Sequence, residues 1–255
     1  MRTTSRGFGI HYTVDGAGPP LMLLGGTMLA ARHWADLGYV DALARDWKVV
    51  NVDPLGHGDS DRPHDADCYT AEGVTADLVA VLDAEHIERA TIWGYSRGGW
   101  LACGLAGRHP ERAAHLVVGG YAMHAHDAEA ARMLIPLAGF LRAGDWAAVW
   151  RAFGVSDKAF RKMIEDTNDP LAVAAAIEGS LRPTRFVDPA SISCAATYYA
   201  GSRDWIMPHV RADVEALEQV GATLDVIAGG THLGTYFGEV RPVLAAVTAR
   251  LSDRG

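Results

Sequence analysis

The stretch IWGYSRGGW (92–100) decides how this chain is read, because it sets a serine between glycines where an apolar run meets a helical pattern. Gly94-Tyr95-Ser96-Arg97-Gly98 satisfies G-x-S-x-G. It follows ATIW (90–93), which reads as a buried strand, and precedes a helix over 96–109. A serine hydroxyl is a poor nucleophile unless a sharp turn holds it, a base takes its proton and N–H donors meet the charge that develops on the substrate oxygen. The flanking glycines let backbone approach the turn, and the start of the helix supplies free N–H groups and a positive dipole end. The bare pattern also fits a small residue in a tight turn; the strand before it and the helix after it favour the nucleophile.

Outward from this turn the chain alternates short apolar runs with amphipathic stretches. FGIHYTV (8–14), LMLL (21–24), WKVVNV (47–52), ATIW (90–93), AAHLVVGG (113–120), AATYYA (195–200) and ATLDVI (222–227) read as strands. Helical spacing lies between them, over 34–43 and on the face shared by Val74, Leu78, Val81 and Leu82. The alternation predicts an α/β fold with a mostly parallel central sheet and helices on both faces. From 122 to 187 it stops and only helical patterns remain. Leu134, Leu137 and Leu141 share one face; Trp146, Val149, Trp150 and Phe153 share another. The expected organisation is a first core part (1–121), a helical cap or lid (122–187) and a second core part (188–255) that carries an acid and a histidine. The Trp and Leu stripes are expected mainly to pack the cap helices, and also to line an acyl pocket.

An activated serine needs an imidazole, and the imidazole needs an acid that fixes its tautomer. Asp204, in AGSRDWIMP, follows the strand at 195–200, and His232, in AGGTHLGTYF, follows the strand at 222–227. Loops at the carboxyl ends of parallel strands present side chains on one edge, the edge of Ser96. Singly, Asp204 also reads as a helix cap and His232 as a loop histidine. With Ser96, in the order Ser, Asp, His, the three form a candidate triad. Asp225 lies inside a predicted strand, and Asp59 and Asp61 belong to another loop. For an oxyanion hole, LLGGTM (23–28) ends a strand at a second glycine-rich turn, so the backbone N–H groups of Thr27 and Arg97 are the candidates.

Composition narrows the setting. The 255 residues are 49% hydrophobic, and 23 basic against 31 acidic residues give a formal charge of −8, scattered along the chain. That argues against nucleic-acid or anionic-membrane partners. No signal-peptide pattern or membrane span is read, so a cytoplasmic protein is expected, with a small-molecule ester or lactone as partner and homodimerisation left open. Cys68, Cys103 and Cys194 show no pairing pattern and are expected as reduced, buried thiols. HAHD (124–127) has no later histidines to complete a metal site, and no phosphate-cradling motif is present, so no metal and no cofactor is expected. His57, in GHGDS, reads as a loop residue packed near the site.

GAGPPLMLLGG, VDPLGHGDSDRP (52–63), GYSRGG (94–99), GSRD (201–204) and GGTH (229–232) together resemble the α/β-hydrolase superfamily, in its order and spacing and over nearly the full chain apart from the helical insertion. The likeness is to its bacterial serine esterase, lactonase and perhydrolase-like branch with a small helical cap. It implies an α/β-hydrolase fold and an acyl-enzyme mechanism. Two departures stand out. Gly25-Gly26 replaces the family's common His-Gly, and Arg97 occupies a position often uncharged, where an ion pair or a solvated side chain is favoured over contact with an acidic substrate group. Ser96 excludes the aspartate nucleophile of haloalkane dehalogenases and epoxide hydrolases. The expected function is hydrolysis of a carboxylic ester or lactone. The alternatives are another reaction on the same triad (cyclase, acyltransferase, C–C bond hydrolase, perhydrolase) and, less favoured, a ligand receptor without turnover.

Overall fold

A computed structural model of the chain describes residues 1–123, 129–181 and 187–252. Eight strands, β1 (Arg2–Ser5), β2 (Phe8–Asp15), β3 (Pro20–Leu24), β4 (Lys48–Val52), β5 (Ala90–Tyr95), β6 (Ala113–Gly119), β7 (Ala195–Gly201) and β8 (Thr223–Ile227), form one sheet in the order β1-β2-β4-β3-β5-β6-β7-β8. The β1–β2 and β2–β4 pairs are antiparallel, and every other pair is parallel. The helices are α1 (Ala31–Asp36), α2 (Tyr39–Leu43), α3 (Ala71–Ala84), α4 (Arg97–Arg108), α5 (Glu129–Arg142), α6 (Trp146–Phe153), α7 (Lys158–Thr167), α8 (Pro170–Ser180), α9 (Met207–Ala216), α10 (His232–Phe237) and α11 (Val240–Ser252). Among the described residues no helix is long and apolar enough to cross a membrane.

Side chains alternate across a strand, and the two faces of the sheet divide the core accordingly. Met22, Leu24, Val50, Val52, Ile92, Leu116, Val118 and Tyr198 point to one layer, where they meet Val74, Leu78, Val81 and Leu82 of α3 and Trp100, Leu101 and Leu105 of α4. Leu21, Leu23, Val49, Trp93, Val117 and Tyr199 point to the other, with Trp34, Tyr39, Tyr236, Val243 and Val247. There Trp34 packs edge-on against Tyr39, Trp93 and Tyr236 at centroid distances of 4.8, 5.6 and 4.9 Å. Each such fully buried large side chain contributes about 1.5–3 kcal/mol.

Chain direction locates the site. From β3 the chain moves to β4 on one side, then crosses back to β5 on the other. The loops leaving β3 and β5 therefore diverge, which opens the crevice of a topological switch point at the carboxyl ends of the strands.

Helices α5–α8 fill the interval between β6 and β7. Asp145, Asp157 and Asp169 accept backbone N–H groups at the starts of α6, α7 and α8. The middle of helix α8 is apolar and buried: Val173, Ala174, Ala175, Ala176 and Ile177 are at most 1% exposed. It packs close to the turn at Ala66–Tyr69, where a Cβ on Gly179 would come 2.6 Å from the Ala66 carbonyl. Ion pairs His64–Asp169 (2.7 Å) and Arg142–Glu178 (2.5 Å) tie the same helix to the core loop and to α5.

Two details differ from the sequence expectation. The helix read over 34–43 is two short helices, because Gly38 adopts φ 82 and redirects the chain. The polar segment Arg2–Ser5 is also a strand, closed onto β2 by a turn with Arg6 and Gly7 at positive φ.

Candidate active site

Ser96 lies on the turn between β5 and α4 with φ 53 and ψ −118, a conformation that side chains other than glycine's rarely adopt. The glycines of the motif are there for contact. A Cβ on Gly94 would meet the Gly98 carbonyl oxygen at 2.0 Å, and one on Gly98 would meet the Leu24 carbonyl oxygen at 2.0 Å. The elbow is thus pressed against the end of β3. Its backbone is held by the Ser96 N–H, which donates to the Gly119 carbonyl at 2.7 Å.

Asp204 follows β7 and His232 opens α10 after β8, so both come to the Ser96 edge. The His232 Nδ1 to Asp204 Oδ2 distance is 2.9 Å, and His232 Nε2 is 3.1 Å from Ser96 Oγ. An ionised carboxylate only accepts, so Nδ1 carries the proton and Nε2 presents a lone pair to the serine hydroxyl. The Asp204 side chain is fully buried, and its Oδ1 accepts the Ile206 N–H at 3.1 Å. Asp204 does not cap α9, whose N-cap is Ile206 without a side-chain cap bond; its second oxygen holds the turn just before that helix while the first orients His232. The His232 ring lies between Tyr95 (5.6 Å) and Trp205 (6.2 Å), and the Tyr95 hydroxyl donates to the His232 carbonyl.

Thr27 stands in the loop after β3, beside Gly26, whose added Cβ would lie 3.3 Å from that of Ser96. Among the described residues neither the Thr27 nor the Arg97 N–H donates to a backbone acceptor outside regular helices and strands. With no histidine at position 25, other bonds hold this loop. Leu29 N–H donates to the Gly26 carbonyl (3.0 Å), Ala30 N–H to His33 Nδ1 (2.8 Å), and Asn168 Nδ2 to the Met28 carbonyl (3.0 Å). Met28 itself has φ 65.

The remaining candidates separate from this cluster. Asp225 pairs with Arg250 at 2.9 Å, and Asp61 accepts the Gly9 N–H and pairs with Arg2. Asp59 neighbours His11 and Asp53, but the Asp53 carboxylate is already committed to His11 Nδ1 and to the Ala31 and Asp59 N–H groups, at 2.8, 2.6 and 3.1 Å. HAHD (124–127) lies outside the described residues. Cys103 and Cys194 are buried free thiols, whereas Cys68 is only partly buried; burial raises the pKa of all three.

Two lobes of open space meet at Ser96, Thr27 and His232. One, of about 590 Å³, is walled by Arg97, Trp100, Tyr121, Ile177, Ser180 and Trp205. The other, of about 640 Å³, is walled by Met28, Leu137, Trp150, Phe160, Ile164 and Phe237. Met133 and Leu134 of α5 border both. Sequence reasoning anticipated the helices as a pocket wall but not Trp205 or Tyr121. Trp205 adjoins Asp204 in the chain, which is the one signal that marked it.

The fold and site so described define a class. Residues 19–143, just under half of the chain, match the family model for the alpha/beta hydrolase fold. Likeness extends over the whole chain in solved structures. The enol-lactonase from Burkholderia xenovorans LB400 is 22% identical, with a TM-score of 0.79 over 99% of this chain and 98% of its own. A hydrolase from Pseudomonas aeruginosa PA01 is 24% identical, with a TM-score of 0.82 over 98% and 97%. At these identities the likeness shows the fold. Among curated relatives, the 2-hydroxymuconate semialdehyde hydrolase of Pseudomonas sp. (strain CF600) is 44% identical over 109 residues, 42% of this chain and 38% of that one. The match spans 38–44% of the length of the first curated relatives. Family model and solved structures agree on the α/β-hydrolase fold for this chain.

Proposed function

We propose that the chain is a serine hydrolase acting on a carboxylic ester or lactone through an acyl-enzyme. The observation that carries this is the Ser96–His232–Asp204 relay, with contacts of 3.1 and 2.9 Å, set on a strained elbow at the junction of two cavities. In this reading His232 Nε2 takes the Ser96 proton as Oγ attacks the carbonyl, and Asp204 stabilises the imidazolium. The N–H groups of Thr27 and Arg97 hold the oxyanion. His232 then returns the proton to the leaving oxygen and activates a water that releases the acid. Residues 122–187 act as a cap over a core formed by 1–121 and 188–255.

A second reading, C–C bond hydrolysis on the same residues, is favoured by relatives named 2-hydroxymuconate semialdehyde hydrolase and 2-hydroxy-6-oxo-2,4-heptadienoate hydrolase. Turnover of simple aryl esters and lactones against a 2-hydroxy-6-oxodienoate separates the two.

The test of the shared core is the intact mass after brief exposure to a fluorophosphonate. A single adduct on the wild type, absent in Ser96→Ala, is the expected result. Labelling that survives in Ser96→Ala, or no labelling of the folded wild type, would overturn the proposal.

A further inference from the structure

The two lobes that meet at Ser96 differ in what bounds them. The first has Trp205 in its wall, 43% exposed, together with Tyr121 and Ser180. Arg97 borders it, but its Nε and Nη2 are buried without a hydrogen-bond partner and the guanidinium lies 5.0 Å from the centroid of the Trp100 ring, so those two donors do not reach the open space. The second lobe is enclosed more deeply. Met28, Leu137, Trp150, Ile164 and Tyr236 in its wall are each at most 5% exposed. Phe160 packs edge-on against Trp150 at 6.2 Å and against Phe237 at 4.7 Å, which makes one side of the lobe a row of aromatic rings. Among its described lining residues none is Asp, Glu, Lys or Arg, and the Tyr95 hydroxyl is spent on the His232 carbonyl. The His232 ring stands between the lobes, 6.2 Å from Trp205 in the wall of the first and 5.6 Å from Tyr95 in the wall of the second.

An acyl-enzyme mechanism treats the two arms of an ester unequally. The alcohol leaves first and water takes its place, while the acyl arm stays bonded to Ser96 until the second step. The arm that must depart needs the lobe with the exposed wall; the arm that must stay gains most from the enclosed apolar one. We propose that the lobe lined by Trp150, Phe160 and Phe237 is the acyl site, that the Trp205 lobe takes the leaving group, and that the substrate is an ester of an acid with an uncharged alkyl or aryl chain of medium length. Phe160 is then a specificity residue. A carboxylate on the acyl chain would enter a space whose walls, His232 apart, carry no cation, and its desolvation would go unmatched. The assignment rests on the serine-hydrolase reading, and its own content is which lobe holds the acyl arm.

The test uses methylboronic and hexylboronic acids, whose one carbon chain takes the place of the acyl chain. Boron accepts a lone pair from Ser96 Oγ while the hydroxyl proton passes to His232 Nε2, so an O–B bond forms, no group leaves and nothing is oxidised or reduced. Each acid's affinity is read as protection of Ser96 from fluorophosphonate labelling, which does not depend on ester turnover. In the wild type the hexyl acid is expected to protect at a concentration about tenfold or more below that of the methyl acid. Phe160→Ala should cut this ratio about threefold or more, whereas Trp205→Ala should shift both acids alike and leave the ratio within about twofold. Equal protection by the two acids in the wild type, no protection by either, or a ratio lost in Trp205→Ala and kept in Phe160→Ala would overturn the assignment. No labelling of Ser96 in the wild type would instead remove the hydrolase reading. Should Phe160→Ala fail to fold, Val155→Trp, which fills the same lobe from a partly buried position, is expected to bring the ratio near unity, and an undiminished ratio there would overturn the assignment as well.

Discussion

Replacing Asp204 by asparagine changes one buried atom and leaves the shape of the site intact. The wild-type carboxylate spends both oxygens, one on His232 Nδ1 at 2.9 Å and one on the Ile206 N–H at 3.1 Å. An amide has one acceptor for these two donors. If its oxygen keeps Ile206, its NH₂ faces Nδ1, and His232 must move its proton to Nε2, where it opposes the serine hydroxyl instead of accepting from it. If its oxygen keeps His232, its NH₂ faces the Ile206 N–H, and a buried donor is left unmet at a cost of about 1–3 kcal/mol. The first orientation removes general-base catalysis. The expected loss in kcat/KM is about 10⁴-fold, which corresponds to about 5.4 kcal/mol of transition-state stabilisation. The assay is hydrolysis of a 4-nitrophenyl ester under kcat/KM conditions, with the rate of Ser96 fluorophosphonylation as a check independent of deacylation. Both rates should fall together while the circular dichroism spectrum is retained. A loss of less than about tenfold would refute the role given to Asp204.

Ser96→Gly should relieve the φ 53, ψ −118 backbone and stabilise the protein by about 1 kcal/mol while Ser96→Ala does not; a higher midpoint of thermal unfolding for the glycine variant alone is the expected observation. Gly98→Ala should cost about 3 kcal/mol or more and abolish Ser96 labelling, because its Cβ would fall 2.0 Å from the Leu24 carbonyl. Gly139→Ala, on an exposed part of α5 with nothing within 4 Å of its Cβ, should instead be neutral or gain up to about 1 kcal/mol in denaturant unfolding. The lowered pKa of His57 predicts a pH dependence. The unfolded chain takes up this proton as pH falls below 6.5 and the folded chain only near 3, so stability is fully present above 6.5 and declines below it. At pH 5 the loss is about 2 kcal/mol, and His57→Gln should lack that part of the difference between denaturation curves at pH 7 and pH 5.

The legible parts of the chain are those whose cause is local. Leu21–Leu24, Val49–Val52 and Ala90–Trp93 read as strands because each is a short apolar run bounded by turn residues, and in the structure each fills both faces of the sheet. Ser96, Asp204 and His232 could be picked out because each stands directly after such a run, where a parallel sheet gathers its loops. Arg2–Ser5 was not legible, since its strand comes from pairing with Phe8–His11 and not from apolar content. The state of the Arg97 side chain was not legible either, and an ion pair or solvated arginine was the favoured reading. What surrounds it arrives from distant positions, Ile177 and Ser180 of α8 and the buried His57, and no local pattern carries that information.

Where the fold departs from its lowest-energy local structure also points to the site. Among the described residues four non-glycine residues have positive φ: Arg6, Met28, His86 and Ser96. Arg6 and His86 are exposed, one in the hairpin turn beside Gly7 and one just beyond α3, where such a backbone costs little and connects elements. Met28 is 5% exposed and Ser96 lies between two cavities, so neither has the excuse of a surface turn. The unpaired guanidinium of Arg97 is one residue further along. Strained backbone and unmet buried charge persist only where the rest of the structure overdetermines them. Here the glycine contacts at positions 94 and 98 and the bonds around Met28 do so from both sides. A fold selected for packing alone would relax these features separately. The strained backbone concentrated on the loops after β3 and β5 is what a preorganised reaction centre requires, since donors and nucleophile must be in place before a substrate arrives.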